Sequence, residues 1–469
     1  MTPPDQLRLR EKLCYGFGDL ASVLYWQTFM AYLLFYYTDV FGITAAAAGT
    51  MFFISRIWDG VNDPVMGMIA DRTHTRWGKF RPYLLWMCVP FAVVGVLTFT
   101  TPNLGPTGKL IWAYLTFNGL MMLYTAINIP YTAMLGVISP DPIQRTSVSS
   151  IKFLFAFTAG TLVSATLLPM TKWLGAGNDA RGWQLTFVIY GIAFVVFFLI
   201  AFFGTRERVQ PPPTQKTTVL RDLRELFTNG PWLILLATTI TFILFVATRL
   251  TVTAHYFKYY VGSQQLDLPF MGGPKTYGFE ALVSAFNTIG QASSIAGVLL
   301  VTWFARLVGK KPAFIILFVI SVVSTAAFYL VQPGQLLLMF LLQIAGSITG
   351  GPLSALIWAM YADTADYGEW KNCCRSTGLI FSASTMSQKV GWAIGGSTAA
   401  WLLYMMGFQP NVAQSGDVRH SLVLLMSLIP ACLGLVSIAI VAFYPLNETR
   451  VGQIEAELKA RRAAAEPAA

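Results

Sequence analysis

Apolar stretches of roughly 20 or more residues recur from one end of this 469-residue chain to the other. Each is long enough to cross the hydrocarbon core of a bilayer as a helix. They lie near 13–38, 44–70, 82–101, 109–135, 148–172 and 183–204, then near 231–260, 277–304, 312–331, 335–362, 377–407 and 420–444. Backbone N–H and C=O groups inside a bilayer must be satisfied within the chain, so such runs fold as helices. The predicted fold class is therefore an all-α membrane protein with twelve transmembrane helices. Only 12% of the residues are charged, against about a quarter in a soluble chain. The net charge of +10 does not imply a nucleic-acid partner, because the basic residues sit in short loops and tails between apolar spans. The lipid bilayer is the expected partner. The five cysteines show neither zinc nor disulfide spacing and read as buried or inert thiols. The chain starts polar and its first apolar run is too long for a signal peptide, so no cleavable leader is expected.

Residues 205–229 break the pattern with Arg206, Arg208, Pro211, Pro212, Pro213, Lys216, Arg221 and Arg224. A charged, proline-bearing segment of this kind marks a linker. The expected organisation is a six-helix bundle over 1–204, a cytoplasmic linker over 205–229, a second bundle over 230–445 and a cytoplasmic tail over 446–469, either a short helix or, by preference, a solvated segment. Both termini then lie on one side, and the Lys/Arg bias makes that side the cytoplasm of a bacterial inner membrane. The halves echo one another: Gly78-Lys79-Phe80-Arg81-Pro82 follows the second span, and Gly309-Lys310-Lys311-Pro312 follows the eighth. Such a repeat predicts two pseudo-symmetric bundles around a cavity near the bilayer midplane.

Charges within a span are costly and by default face a cavity and serve function. The second span carries Arg56, Asp59, Asn62 and Asp63, and the i, i+4 spacing puts both carboxylates on one helix face. Two close carboxylates can ligate a small hard cation or share a proton. Pro64 leaves the carbonyl of Gly60 without its helical donor, an extra oxygen beside the acids. A structural Arg56–Asp59 ion pair is the plainer alternative. The fourth span offers Tyr124, Thr125, Asn128 and Thr132, with Pro130 releasing the carbonyl of Ala126. On the first span Asp19, Val23, Trp26, Gln27 and Met30 share a face. Trp26 reads as a platform for the apolar face of a pyranose, with Gln27 supplying hydrogen bonds, or else as a lipid-facing ring. The eleventh span places Thr385, Gln388, Lys389 and Trp392 on one face. A buried Lys389 calls for a carboxylate partner, Asp59 or Asp63, unless it snorkels. Arg249 is similarly buried in the seventh span, with no partner legible. Asp363, Asp366, Glu369, Lys371 and Arg375 end the tenth span and could pair with Arg72, Arg76, Lys79 and Arg81 as a cytoplasmic gate. The histidines, His74, His255 and His420, do not cluster. No metal or nucleophile constellation is present, so neither an enzyme nor a cofactor is expected beyond a coupling ion.

Several stretches resemble the glycoside–pentoside–hexuronide:cation symporters, a branch of the major facilitator superfamily. They are Tyr15-Gly16-Phe17-Gly18-Asp19, Tyr36-Tyr37-Thr38-Asp39, Arg56-Ile57-Trp58-Asp59, Asn62-Asp63-Pro64 and Arg76-Trp77-Gly78-Lys79-Phe80-Arg81-Pro82. The second half adds Ala362-Asp363-Thr364-Ala365-Asp366-Tyr367-Gly368-Glu369, Lys389 and Pro410-Asn411-Val412-Ala413-Gln414. The resemblance implies twelve helices in the major facilitator fold, alternating access, and glycoside uptake driven by Na⁺, H⁺ or Li⁺. It implies that Asp59 and Asp63 are cation-site carboxylates, beside Asn62, Thr125 and Asn128. Asn128 stands where the best-known member has a third carboxylate, and an amide can hold neither a proton nor a charge. Thr132 stands where that member has a tryptophan. The family's helix-1 carboxylate aligns with Val23, so Asp19, a turn away, serves either the sugar or the cytoplasmic gate. Lys152 falls close to a family arginine and Lys389 on the family's helix-11 lysine. The implied substrate set is Asp19, Trp26, Gln27, Tyr124, Asn128, Thr132, Lys152, Thr385, Gln388, Lys389 and Trp392. A lysolipid carrier of the same fold and a proton-coupled sugar exchanger are the alternatives, and a monomer is expected. A membrane enzyme would need large polar loops with a catalytic motif, and a sugar receptor would need an output domain.

Overall fold

The computed structural model describes residues 7–139, 142–208, 227–266, 275–372 and 377–465. The long helices are α1 (Leu9–Ala31), α2 (Ala45–Arg72), α3 (Arg81–Thr98), α4 (Pro106–Val137), α5 (Pro142–Gly175) and α6 (Asp179–Gly204). They continue with α7 (Gly230–Tyr256), α8 (Phe279–Val308), α9 (Lys310–Ala327), α10 (Leu336–Asn372) and α11 (Thr377–Met405). Helix α12 is built from two pieces, Gly416–Met426 and Leu428–Ala442, broken at Ser427, and α13 spans Glu448–Ala465. Among the described residues nine helices are long and apolar enough to cross a membrane, namely α3 to α10 and α12. Of the long helices outside that set, α1, α2 and α11 carry Asp19, the Arg56–Asp59–Asp63 group and Lys389, and α13 is the tail helix. The departures from an all-helical chain, among the described residues, are a short antiparallel strand pair, Gln264–Leu266 with Lys275–Tyr277, and a single bridge between Thr75 and Gly78.

Helix ends follow local chemistry. Thr44 caps α2 by accepting the Ala47 N–H at 3.2 Å, and Asn178 caps α6 by accepting that of Arg181 at 3.0 Å. Helices α1 and α7 both lead to a π-helical turn closed by a positive-φ glycine: α1 reaches Tyr36–Phe41 and Gly42 through a break at Tyr32 and the short helix Leu33–Phe35, and α7 runs straight into Phe257–Val261 and Gly262. Such turns widen the helix and are frequent at functional positions.

The chain forms two compact units. One comprises residues 1–214, 250–288 and 397–422, so the end of α7, the start of α8 and the α11–α12 turn group with the first six helices. Its interior is aromatic, with the Tyr25 ring 4.7 Å from Phe91 and 5.4 Å from both Phe187 and Phe194. The other comprises 215–249, 289–396 and 423–469 and packs Trp232, Phe242, Phe314, Phe318 and Tyr361 in its core. Large apolar side chains such as Leu299, Trp303, Leu330 and Phe443 stay exposed, the inverse of a soluble surface and the pattern of a lipid-facing one. Most of the linker anticipated at 205–229 lies outside the described residues. The tail takes the helical alternative over the preferred solvated one. Residues 448–465 are helical and not simply solvated, with Ile454 and Leu458 buried in the core of the second unit. Their i, i+4 spacing gives α13 one apolar stripe, and Trp370 Nε1 of α10 donates to Glu457 at 2.6 Å beside it.

Candidate functional site

Helices α1 and α4 are zipped together by three successive pairs. At the first, Tyr15 and Tyr131 each donate a phenol O–H to the other's backbone carbonyl, at 3.0 and 2.8 Å, with rings stacked at 4.7 Å. Gly18 permits this approach, since a Cβ there would collide with the Tyr131 ring. At the second, Ser22 Oγ donates to Asn128 Oδ1 at 2.8 Å while Asn128 Nδ2 donates to the Tyr124 carbonyl at 3.2 Å. At the third, Trp26 stacks on Tyr124 with centroids 5.7 Å apart. The partners descend in antiparallel order, 15 with 131, 22 with 128 and 26 with 124, as neighbours running in opposite senses across a bilayer must.

Helix α2 joins this pair from the side. Ser55 Oγ donates to Asn118 Oδ1 at 2.8 Å, and Thr125 Oγ1 donates to Asp63 Oδ1 at 2.9 Å. Arg56 donates to Asp59 Oδ2 at 3.2 Å and lies 4.7 Å from the centroid of the Trp26 ring. A guanidinium on an aromatic face gains from the ring quadrupole, and more so where water is scarce. Asp59 is buried and Asp63 half-buried. Helix α5 contributes Lys152, 3.7 Å from Asp19 and 5.8 Å from the centroid of Tyr131. The first unit thus gathers Asp19, Trp26, Tyr124, Thr125, Asn128, Lys152, Asp59 and Asp63 from four helices. Gln27 is half-buried with its Nε2 enclosed and unpartnered, Asn62 is half-buried, and Thr132 is exposed. The plainer alternative for Arg56 is present in the geometry, since it does pair with Asp59. Helix α2 continues through 60–64, and the surroundings of Gly60 and the Pro64 side chain lie outside what the structure describes.

Sequence reasoning missed Ser22 and the Arg56–Trp26 contact. Ser22 has no charge to stand out in an apolar span, and Arg56 meets Trp26 because α2 packs against α4, whose Tyr124 stacks on the Trp26 ring. The set on α11 belongs to the second unit. There Trp392 packs against the apolar core, Gln388 and Lys389 are half-buried, and Thr385 is exposed. Arg249 acquires partners the sequence did not reveal: Nη2 donates to Gln343 at 2.9 Å, and the guanidinium lies 4.8 Å from the Phe328 centroid.

Of the residues expected at a cytoplasmic gate, Arg72 and Arg76 are exposed and Lys79 is half-buried. Arg81 turns into its own unit and donates to the carbonyls of Phe202 at 2.6 Å and Trp77 at 3.3 Å. Asp363 takes both oxygens to Lys310 Nζ, at 2.6 and 2.7 Å. Asp366 and Glu369 are half-buried on α10, and Arg375 lies outside the described residues.

A family model for MFS/sugar transport proteins matches residues 14–448. The chain is 34% identical over 439 residues to the inner membrane symporter YicJ of Escherichia coli, covering 93% of this chain and 92% of that one. It is 34% identical over 446 residues to the isoprimeverose transporter of Lactiplantibacillus pentosus, covering 93% and 89%. The putative glycoside/cation symporter YagG of Escherichia coli is 34% identical over 461 residues, covering 98% and 96%. Among solved structures, a bacterial homologue of the human lysosomal transporter Spinster aligns with a TM-score of 0.64 at 15% identity, covering 94% and 98%. That likeness supports a major facilitator fold. Matched across nearly its whole length, the chain belongs to the MFS/sugar transport protein family and is a membrane transporter, not an enzyme.

Proposed function

We propose that the protein is a cation-coupled symporter of a glycoside or oligosaccharide, working by alternating access with both termini in the cytoplasm. The observation that carries this reading is the acid pair of α2 set against the α1–α4 face. Asp59, Asp63 and Arg56 sum to one negative charge, and Asp19 with Lys152 sum to zero, so one monovalent cation balances the group. The Trp26–Tyr124 stack, Gln27 and the Asp19–Lys152 pair supply the aromatic surface and the convergent hydrogen-bonding groups that a sugar requires. Relatives named for isoprimeverose transport and for glycoside/cation symport support the substrate class.

The ion is either Na⁺ or H⁺, and oxygen supply separates them. Na⁺ wants about five or six oxygens, by analogy with other hard cations. Asn128 already accepts from Ser22 and donates to Tyr124, so its oxygen keeps one lone pair to offer, whereas the carboxylates of Asp59 and Asp63 bring charge and the Thr125 hydroxyl lies against Asp63. Our reading is Na⁺ held by Asp59, Asp63 and Thr125, completed by water or by the sugar. The deciding experiment is sugar accumulation in vesicles under an imposed Na⁺ gradient and then under a pH gradient, with choline replacing Na⁺ in the second. Accumulation with the pH gradient alone assigns the proton and overturns Na⁺, and none under either gradient overturns symport. Asp59→Cys is predicted to abolish accumulation while sparing sugar exchange. Coupling arises only from differential cation binding between states, so wild-type accumulation in the mutant would refute the assignment.

A further inference from the structure

Two sequence stretches have no part in the site above: Tyr36-Tyr37-Thr38-Asp39 and Pro410-Asn411-Val412-Ala413-Gln414. The fold of the first unit brings them together. Asp39, on the π-helical turn that follows α1, has a fully buried side chain. Its Oδ1 accepts from Lys258 Nζ at 2.7 Å and from the Tyr259 hydroxyl, and both donors lie on the matching π-helical turn that ends α7. Its Oδ2 lies 3.4 Å from His255 Nε2, with Thr38 Oγ1 between them at 2.7 Å from the carboxylate and 3.0 Å from the ring. Asn411 closes the cluster from the surface. Its Nδ2 donates to the Asp39 carbonyl at 2.6 Å, its Oδ1 accepts from Lys258 at 2.7 Å, and its N–H donates to Tyr259 Oη at 2.8 Å.

Asn411 makes these contacts from a left-handed backbone, φ +60. Asparagine tolerates that region better than most residues, and a non-glycine there is held by its surroundings. The rest of this end is weaker glue. Asn287 donates to the buried Tyr32 hydroxyl at 2.9 Å, Lys172 pairs with Glu280 at 2.7 Å, and Trp401 Nε1 donates to Thr50 at 3.2 Å. A buried carboxylate that loses its cation partners becomes an uncompensated charge, which makes such a cluster all-or-none.

We propose that Asp39 is the hub of a latch that holds α1 shut against α7 and the α11–α12 turn. It lies at the end of α1 remote from the basic 72–81 loop, the end that the loop charges assign to the outside. Breaking the hub opens the path to the Trp26–Asp59 group from that side. The inference rests on the alternating-access reading, but on neither the identity of the ion nor that of the sugar.

The test uses the full-length carrier with its five native cysteines replaced and Met30→Cys as reporter, on α1 between Trp26 and Asp39. Labelling by a membrane-impermeant maleimide added outside is followed with no sugar and no Na⁺ supplied and equal pH on both sides, so no gradient drives symport during the measurement. Asp39→Asn and Lys258→Met are each expected to raise the labelling rate about tenfold, and Tyr259→Phe about threefold. Unchanged labelling in these variants, at wild-type abundance in the membrane, overturns the latch. If Asp39→Asn fails to assemble, Lys258→Met and Tyr259→Phe decide the question on the same scale.

Discussion

The loop before α3 and the loop before α9 are built from the same parts, and they differ in what holds them. In the first unit, Gly78 (φ +110) turns the chain so that the N–H groups of Lys79, Phe80 and Arg81 converge on the Glu207 carboxylate at 2.9, 2.8 and 2.9 Å. In the second, Gly309 (φ +92) presents the N–H of Lys310 to Glu448 at 2.6 Å. Each carboxylate follows the last helix of its half of the sequence, α6 or α12, and each loop sends a cation back to that helix end. Arg81 reaches the Phe202 carbonyl at 2.6 Å, and Lys311 reaches those of Ala442 and Tyr444 at 2.8 and 2.7 Å. An anion at a helix N-terminus and a cation at a C-terminus both complement the helix dipole. The difference is that Lys310 also turns its side chain onto Asp363, making an ion pair where the first loop relies on backbone donors. The first loop is therefore scaffold, and the second carries a contact that side-chain chemistry alone can break.

The largest expected effect breaks the scaffold. Glu207→Gln weakens three charge-assisted hydrogen bonds and should cost about 3 kcal/mol, against about 1 kcal/mol for Glu448→Gln. Unfolding of the purified carrier in detergent measures both, and equal losses would erase the distinction. Next comes the turn itself. A Cβ on Gly78 would lie 2.5 Å from the Glu207 carboxylate, and one on Gly309 would lie 2.8 Å from that of Glu448. Gly78→Ala should cost about 2 kcal/mol and Gly309→Ala about 1, because Glu207 is pinned by its three donors while Glu448 can yield. The same unfolding assay tests the order, and a larger loss at Gly309 would reverse it. The smallest effects on stability sharpen the comparison instead. Asp363→Asn should lower the initial transport rate about tenfold and stability by about 1 kcal/mol, while Lys79→Met should change transport less than twofold. A Lys79→Met defect as large as that of Asp363→Asn would place a breakable contact in both loops.

The repeated Gly-Lys was legible in the sequence because glycine and lysine stand out after an apolar run. The carboxylates that complete each loop were not, since they lie 128 and 138 positions away and nothing local marks them as caps. The acid pair of α2 was readable for a similar reason: a charge in an apolar span announces itself. The Arg56–Trp26 contact was not, because one-dimensional spacing places residues on helix faces without saying which faces meet. Asp39 shows the limit most plainly. Its motif was visible, but its partners Lys258 and Asn411 stand 219 and 372 positions away. The tail misled because an alanine-rich, charged stretch hides a stripe of only a few apolar residues, of which Ile454 and Leu458 reach the core.

The position of Glu448 sets an order of events during synthesis. A ribosome feeding this chain into the membrane releases Glu207 while the second half is still unmade, so the N-terminus of α3 can be sealed early. Helix α9 waits about as long for its own seal, because its carboxylate is separated from Lys310 by 138 positions, against 128 for Lys79 and Glu207, and emerges only when the last span has been made. Chains fold progressively from their N-terminal end during synthesis. In this transporter each half therefore spends most of its own synthesis with one unsealed helix start, and the first is sealed before the second half is made.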